Sequence, residues 1–121
     1  MLSQEEKEAL KHEISGMIHV ALPGVVQSYD ADFRTAVIRP MMRKKIKGKP
    51  MRLPLLRDVP VFWQGSGMPE IHPGDECLVV FADCCIDGWF ETGNDTLPPS
   101  ERMHDLSDGF AFVGFRSKRR L

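Results

Sequence analysis

The stretch HPGDECLVVFAD, residues 72–83, contains the strongest strand signal in the sequence. Its beginning, through Asp75, is typical of a tight turn because proline and glycine favour the backbone angles of turns. The part from Cys77 to Phe81 is apolar and rich in β-branched and aromatic side chains, which pack well on a pleated sheet. Weaker strand signals lie on both sides, at residues 25–30, 34–41, 53–63 and 110–115. The chain is therefore predicted to be all-β.

The number and spacing of these strands favour a small barrel over other β architectures. Five short strands at uneven spacing, with prolines at edges and glycines at bends, are typical of the five-stranded OB-type barrel. A β-sandwich would need more strands, and a parallel sheet would need crossover helices for which 121 residues leave no room. We therefore predict one OB-type barrel over residues 20–116.

An N-terminal helix is predicted to precede the barrel, within residues 1–19. Ser3 followed by Glu6 is a capping-box signature, in which the serine hydroxyl accepts a hydrogen bond at the start of a helix. Apolar side chains then recur at helical spacing and form one stripe: Leu10, Ile14, Met17 and Ile18. An isolated amphipathic helix of this length is marginal in water, so it packs either on the barrel or on another chain. Three residues of the stripe are candidate oligomer or partner contacts: Leu10, Ile14 and Ile18.

The net charge argues against a general affinity for polyanions. A formal charge of −1 and a pI of about 6.4 give no overall attraction to nucleic acid or to an anionic membrane. The local exception is RKKIKGK, residues 43–49, which is predicted to be an exposed basic loop. Its candidate partner contacts are Lys44, Lys45 and Lys47. Three interpretations stay open: a solvated hairpin loop, a contact with an acidic neighbouring protein, and a contact with a nucleic-acid backbone.

The sequence predicts no catalytic, cofactor or metal site. The three cysteines, an odd number without metal-ligand spacing, are Cys77, Cys84 and Cys85. Asp83 and Asp87 are predicted to raise the pKa values of the neighbouring thiols, which is the wrong direction for a nucleophile. The four histidines also lack the spacing of a metal pair: His12, His19, His72 and His104. We therefore expect a protein that is not an enzyme.

Two further predictions concern the second half of the chain. Residues 104–109, HDLSDG, are predicted to form a turn held by side-chain hydrogen bonds to backbone N–H groups. Four aromatic residues are predicted to be core or interface anchors: Trp63, Trp89, Phe90 and Phe110.

The sequence is also predicted to lack export and membrane-spanning segments. Its N-terminus, MLSQEE, is acidic, whereas a signal peptide begins with positive charge. No apolar run approaches the roughly 20 residues that a membrane-spanning helix needs. We therefore expect a soluble protein without a signal peptide.

Five segments together resemble a known family. In chain order they are VALPGVVQSYD (20–30), LPLLRDVPV (53–61), PGDECLVVFAD (73–83), IDGWF (86–90) and RMHDLSDGFA (102–111). Their order, and the motif DLSDGF in the last of them, are similar to the N-terminal domain of the membrane-puncturing spikes of contractile-tailed phages. The resemblance covers about residues 20–116.

The resemblance implies a structural role in a contractile injection system. In that family an OB-fold barrel forms a homotrimer on the tail axis and docks the spike to the hub of the baseplate. The resemblance therefore implies a trimeric central spike of the virion tail baseplate, assembled in the host cytoplasm. We expect no cofactor in this chain, because the iron-binding histidines of the family lie at the tip of the needle. An OB-fold module that binds nucleic acid is the alternative.

The C-terminus departs from the family pattern. In the family, the chain after the barrel winds into a β-helical needle that punctures the host envelope. Here residues 117–121, SKRRL, form a short basic tail where the needle is expected to begin, and the histidine pair of a needle tip has no counterpart. Either the chain is a fragment or the spike is unusually short. We expect docking and trimer formation from these residues, with envelope contact through a needle that they do not include.

Overall fold

The chain forms a short N-terminal helix followed by a mostly β domain. The computed structural model describes residues 1–62, 65 and 70–118, without the side chains of residues 12–17. The elements in chain order are α1 (Gln4–Met17), β1 (Ala21–Asp30), β2 (Thr35–Pro40), β3 (Arg43–Ile46), β4 (Lys49–Arg52), β5 (Leu56–Pro60), β6 (Glu76–Phe81), α2 (Asp87–Thr92) and β7 (Gly109–Phe115). Helix α1 begins where the capping signature predicts, because the N–H of Glu6 donates to Ser3 Oγ over 3.1 Å.

Five strands form one antiparallel sheet in the order β5-β2-β1-β6-β7. The sheet curls into a half-barrel, and at its seam Val61 and Ala111 form a parallel bridge. There the N–H of Phe62 donates to the carbonyl of Ala111 over 2.9 Å. An irregular register between Val26 and Ser28 adds to the curvature, since an extra residue bends a strand. The prediction of a small five-stranded β fold with an N-terminal helix is confirmed.

The inside of the curled sheet holds the hydrophobic core. Alternate residues of β6 point inward, so Cys77, Val79 and Phe81 are buried. Ile38 of β2 and Ala111 of β7 are also fully buried. These strands are distant in sequence, and their shared core holds the sheet in its curl.

The prediction of a basic loop at residues 43–49 is wrong, because this segment belongs to a second, separate β-hairpin. Strand β3 pairs antiparallel with β4, from Arg43 opposite Arg52 to Ile46 opposite Lys49. The turn consists of Lys47 and Gly48, whose φ angles of 51° and 79° lie in the left-handed region that a two-residue hairpin turn requires. Lysine and proline are weak strand formers, so the composition concealed the pairing.

The strand predicted at residues 53–63 is shorter in the structure. Strand β5 covers Leu56–Pro60, and Val61 after it forms an isolated β-bridge to Ala111. The prediction for Trp63 lies outside the described residues. The predicted tail at residues 117–121 is described only as far as Lys118. The division into a helical segment, a barrel and a tail stays a prediction.

Candidate functional site

The described part of the α1 stripe is exposed. Every described side chain of α1 is exposed, and Leu10 retains 45% of its accessible surface. Ile18, just after the helix, retains 48%. The side chain of Ile14 lies outside the description. Neither helix in the described part of the chain is long and apolar enough to cross a lipid bilayer. Leu10 and Ile18 are therefore available for contact with another chain, one of the two alternatives that the sequence leaves open.

Three predicted contacts, Lys44, Lys45 and Lys47, lie together in the hairpin of β3 and β4, which we call the basic hairpin (residues 43–52). All residues of its two strands are exposed. Its sequence contains six lysines and arginines and no acidic residue. The structure thus concentrates the predicted contacts on one exposed element with a larger charge than the predicted loop.

Arginine side chains face each other across the basic hairpin. Arg43 and Arg52 are direct partners in the strand register. Together with Arg39 of β2 they line a cavity of about 120 Å³. Like charges directly opposite each other weaken a strand pair. This surface is therefore suited to an anionic partner that relieves the repulsion.

The connection between β6 and β7 carries the opposite charge. Residues 83–108, which we call the acidic segment, contain seven carboxylates and a single arginine, Arg102. Helix α2 lies inside this segment. Gly93 caps its C-terminal end, where the N–H of Gly93 donates to the carbonyl of Trp89 over 2.7 Å. Five of the carboxylate residues are exposed: Asp83, Asp87, Glu91, Asp95 and Glu101. The segment is an anionic surface.

A buried ion pair organises the acidic segment. Asp108 is fully buried, and Arg102 donates to both of its carboxylate oxygens, from Nε and Nη2, over 2.8 Å each. The same carboxylate accepts the N–H of Ile86 over 3.1 Å. Hydrogen bonding to Asp108 raises the pKa of the Arg102 guanidinium, which therefore stays charged. The hydrogen bond from Ile86 to Asp108 connects the residue before α2 with the residue before β7.

The sequence did not identify this ion pair, although it contains a signal for it. A carboxylate at the start of a core strand is a candidate for burial, and a buried carboxylate requires a partner. Arg102 is the one cationic side chain of the acidic segment, so it was the candidate nearest in sequence.

The turn predicted before β7 is present. The N–H of Ser107 donates to Asp105 Oδ1 over 2.9 Å, and the N–H of Asp108 donates to the carbonyl of Asp105 over 3.0 Å. The bond from Ser107 lowers the pKa of the Asp105 carboxyl. A Cβ atom at Gly109 would lie 2.7 Å from the side chain of Val79, so the chain needs glycine where it enters β7.

One set of potential metal ligands in this region is already bonded by a cation of the protein. Cys85, Asp87 and Asp108 place ligand atoms within 4.8 Å of one another. The Arg102 guanidinium bonds Asp108 and also donates to Asp87 Oδ1 over 3.1 Å. The Arg102 guanidinium therefore bonds both carboxylates and offsets part of their negative charge. We assign the cluster a structural role.

The thiols of Cys77 and Cys84 have raised pKa values, the direction that the sequence predicts near Cys84. Burial raises the pKa of the Cys77 thiol to about 11. At Cys84, loss of solvent contact and then a hydrogen bond with Asp83 raise the pKa. Thiols with raised pKa values are protonated at neutral pH and react poorly as nucleophiles.

Aromatic side chains form an exposed cluster on the outer surface of β7, which we call the aromatic patch (Phe62, Trp89, Phe110 and Phe112). The ring centroids of Phe62 and Phe112 are 5.3 Å apart, and those of Trp89 and Phe110 are 5.6 Å apart. Phe62 is 57% exposed, Trp89 46% and Phe112 38%. In β6, Leu78 lies opposite Phe112 in the strand register. The outer face of β6 and β7 is therefore apolar.

The aromatic patch refines the prediction of core or interface anchors. Trp89 and Phe90 are exposed, so they do not belong to the core, and Phe110 is partly buried against Trp89. The prediction for Trp63 lies outside the described residues. No sequence signal indicated Phe62 or Phe112 as interface anchors.

A cavity of about 710 Å³ lies between the acidic segment and the start of β5. Its walls include Leu55 and Arg57 on one side and Phe90, Glu91 and Arg102 on the other. Arg102 is held by its bonds to Asp108. The acidic segment therefore faces the chain that follows the basic hairpin across this cavity.

A small curled β domain with a structural ion pair and exposed charged and aromatic surfaces has the character of an assembly domain. Compared with known protein families, residues 22–114 match the family described as Phage protein Gp138 N-terminal domain. This match spans most of the chain, and the protein belongs to that family. It is a phage structural protein domain, and the family indicates a virion component with a non-enzymatic role. No curated protein matches the chain.

Proposed function

We propose that this chain is the docking base of a trimeric central spike in a contractile phage tail. In this role it attaches the spike to the hub of the baseplate and supports the part that punctures the host envelope. Membership of the Gp138 N-terminal domain family supports a phage structural role. The aromatic patch carries the more specific proposal, because it gives the domain an apolar outer surface that an assembly would cover.

The exposed rings favour burial against another protein. Phe62, Trp89 and Phe112 are each more than a third exposed, and Phe112 lies opposite Leu78 of β6. Contiguous apolar surface of this kind marks interaction sites in soluble proteins. Tryptophan and phenylalanine are also enriched in the buried centres of protein interfaces. A second copy of the chain is the partner that we propose for this patch.

A trimer would remove apolar surface that a domain of this size exposes when alone. Small domains bury a smaller fraction of their surface than large ones, so assembly adds to their stability. In a closed ring, each copy contributes the same two surfaces and none is left over at an end. Such a ring also provides a symmetric platform on the tail axis.

The oligomeric state of the chain in solution tests this proposal. We expect sedimentation equilibrium at micromolar concentration to give a trimer for the wild type and a monomer for Phe112→Asp. Phe33→Asp is the matched control, because Phe33 is 79% exposed at the turn between β1 and β2, outside the patch. Circular dichroism checks that both variants fold. A monomeric wild type would remove the trimer from the proposal.

Binding to nucleic acid is the competing function, supported by the basic hairpin alone. It predicts a gel shift of a single-stranded oligonucleotide at low salt, lost as salt rises because binding releases counterions. We expect no shift for the wild-type chain. A shift that disappears when Lys44, Lys45 and Lys47 are replaced by glutamine would favour the nucleic-acid module.

A further inference from the structure

The basic hairpin and the acidic segment leave the half-barrel at the same end. Pro40, the last residue of β2, lies opposite Gly24 of β1, and the N–H of Met41 donates to the carbonyl of Pro23 over 2.9 Å. At the end of β6, Val80 lies opposite Ala21 of the same strand β1. Both connections therefore begin beside the N-terminal end of β1.

The two elements belong to opposite halves of the sheet. The basic hairpin connects β2 with β5, whereas the acidic segment connects β6 with β7, and β1 separates the two halves. Leu55 and Arg57, which follow the hairpin in the chain, line the 710 Å³ cavity together with Glu91 and Arg102 of the acidic segment. All residues of the hairpin's two strands are exposed to solvent.

The charges of the two elements match in size and oppose in sign. The basic hairpin carries six positive charges and no negative one, a net charge of +6. The acidic segment carries seven carboxylates and one arginine, a net charge of −6. Complementary potentials steer association and fix the register of an interface. The repulsion between Arg43 and Arg52 would be relieved by carboxylates of a partner.

From this geometry we infer that the basic hairpin of one copy binds the acidic segment of the next copy around the ring. The inference rests on the homotrimer proposed above and specifies one of its contacts. Two different surfaces of opposite charge at the same end of one molecule can form the head-to-tail contacts of a closed ring. Each copy then gives its hairpin to one neighbour and its acidic segment to the other.

Charge reversal tests this contact. Lys45→Glu with Lys49→Glu reverses two charges of the hairpin, and Glu91→Lys with Asp95→Lys reverses two charges of the acidic segment. We expect each double variant to weaken trimer formation by roughly tenfold or more, measured by sedimentation velocity at about 50 mM salt. The chain with all four substitutions restores the complementarity and is expected to form the trimer again.

The matched control reverses two charges elsewhere. Arg116→Glu with Lys118→Glu changes two exposed residues and the net charge by the same amount, outside both surfaces, and is expected to leave the trimer intact. Circular dichroism of every variant separates loss of assembly from loss of folding. The wild-type trimer is also expected to weaken as salt rises to about 500 mM, because exposed ion pairs are screened.

Each remaining outcome contradicts the inference in a different way. A wild-type trimer that the hairpin variant leaves unchanged removes this contact and retains the trimer. A wild-type monomer removes both. Loss of the trimer that the four-fold variant does not restore shows that complementary charge is not the cause. Oligonucleotide binding that is lost in the hairpin variant, with assembly unaffected, assigns the basic surface to nucleic acid instead.

Discussion

Replacing Arg102 with alanine is expected to destabilise the folded domain by about 2–4 kcal/mol. The substitution leaves the fully buried carboxylate of Asp108 without the guanidinium that donates to both of its oxygens over 2.8 Å. Removing one partner of a buried ion pair costs about 3–5 kcal/mol, because the other charge remains buried and uncompensated. The Arg102 side chain is 27% exposed, so water relieves part of that cost and our range is lower.

Three companion variants separate charge, geometry and packing. Arg102→Lys keeps a positive charge but loses the two-point contact, so we expect an intermediate loss of stability. Arg102→Met combined with Asp108→Asn removes both charges, keeps an oxygen acceptor for the N–H of Ile86 and is expected to recover most of the lost stability. Arg57→Ala, at an exposed arginine of β5, is the control and should change the stability by no more than about 0.5 kcal/mol.

Urea unfolding followed by far-ultraviolet circular dichroism measures these free energies by linear extrapolation. The protein concentration must be held constant, because assembly adds to the apparent stability of a folded chain. A value for Arg102→Ala within about 0.5 kcal/mol of the wild type would refute the reasoning. A double variant no more stable than Arg102→Ala would also show that an uncompensated carboxylate is not the source of the loss.

Three further predictions follow from other contacts. Because folding lowers the pKa of Asp105, its ionised carboxylate stabilises the folded state at pH values above about 4, the pKa of an unfolded aspartate. This stabilisation is lost as the pH falls through the lower pKa of the folded state. Asp105→Asn should therefore flatten the acid side of a plot of stability against pH, and an unchanged slope would contradict this. Gly109→Ala should cost about 1–3 kcal/mol in urea unfolding, since its Cβ would lie 2.7 Å from Val79, and an unchanged unfolding free energy would contradict this. Leu10→Asp with Ile18→Asp should weaken trimer formation in sedimentation experiments. The folding stability should change by about 0.5 kcal/mol or less, because both side chains are nearly half exposed. Unchanged assembly would exclude the stripe from the interface.

The core strand of this fold was predictable because two independent signals agree there. A tight-turn sequence precedes β6, and the strand itself consists of residues that favour a pleated sheet. The basic hairpin was not predictable in the same way. Its pairing depends on a turn at Lys47 and Gly48 with positive φ angles, and its strands are rich in residues that rarely form strands.

The aromatic patch shows why alternation along a strand does not reveal which face is inside. In β7 the bulky and small residues alternate as the sequence indicates, but the small Ala111 is buried and the bulky Phe112 is exposed. The interior of a tightly curled sheet has little room, so small residues fit where strands cross closely. A hydrophobic pattern alone favours the opposite orientation.

The ion pair of the acidic segment was only partly predictable. The turn at Asp105 follows from residue types that bond their own backbone. The contact between Arg102 and Asp108 depends on how that turn orients two side chains relative to the barrel wall, and no periodicity encodes this orientation.

Strand β7 determines how the domain responds to a pull on the chain that follows it. Its register with β6 runs from Gly109 opposite Phe81 to Phe115 opposite Glu76. Just beyond, the N–H of Ser117 donates to Glu76 Oε2 over 2.8 Å. Tension applied after Ser117 acts along the strand axis, so the transverse hydrogen bonds carry the load together and do not open one by one. The direction of loading thus makes this strand a mechanically resistant anchor.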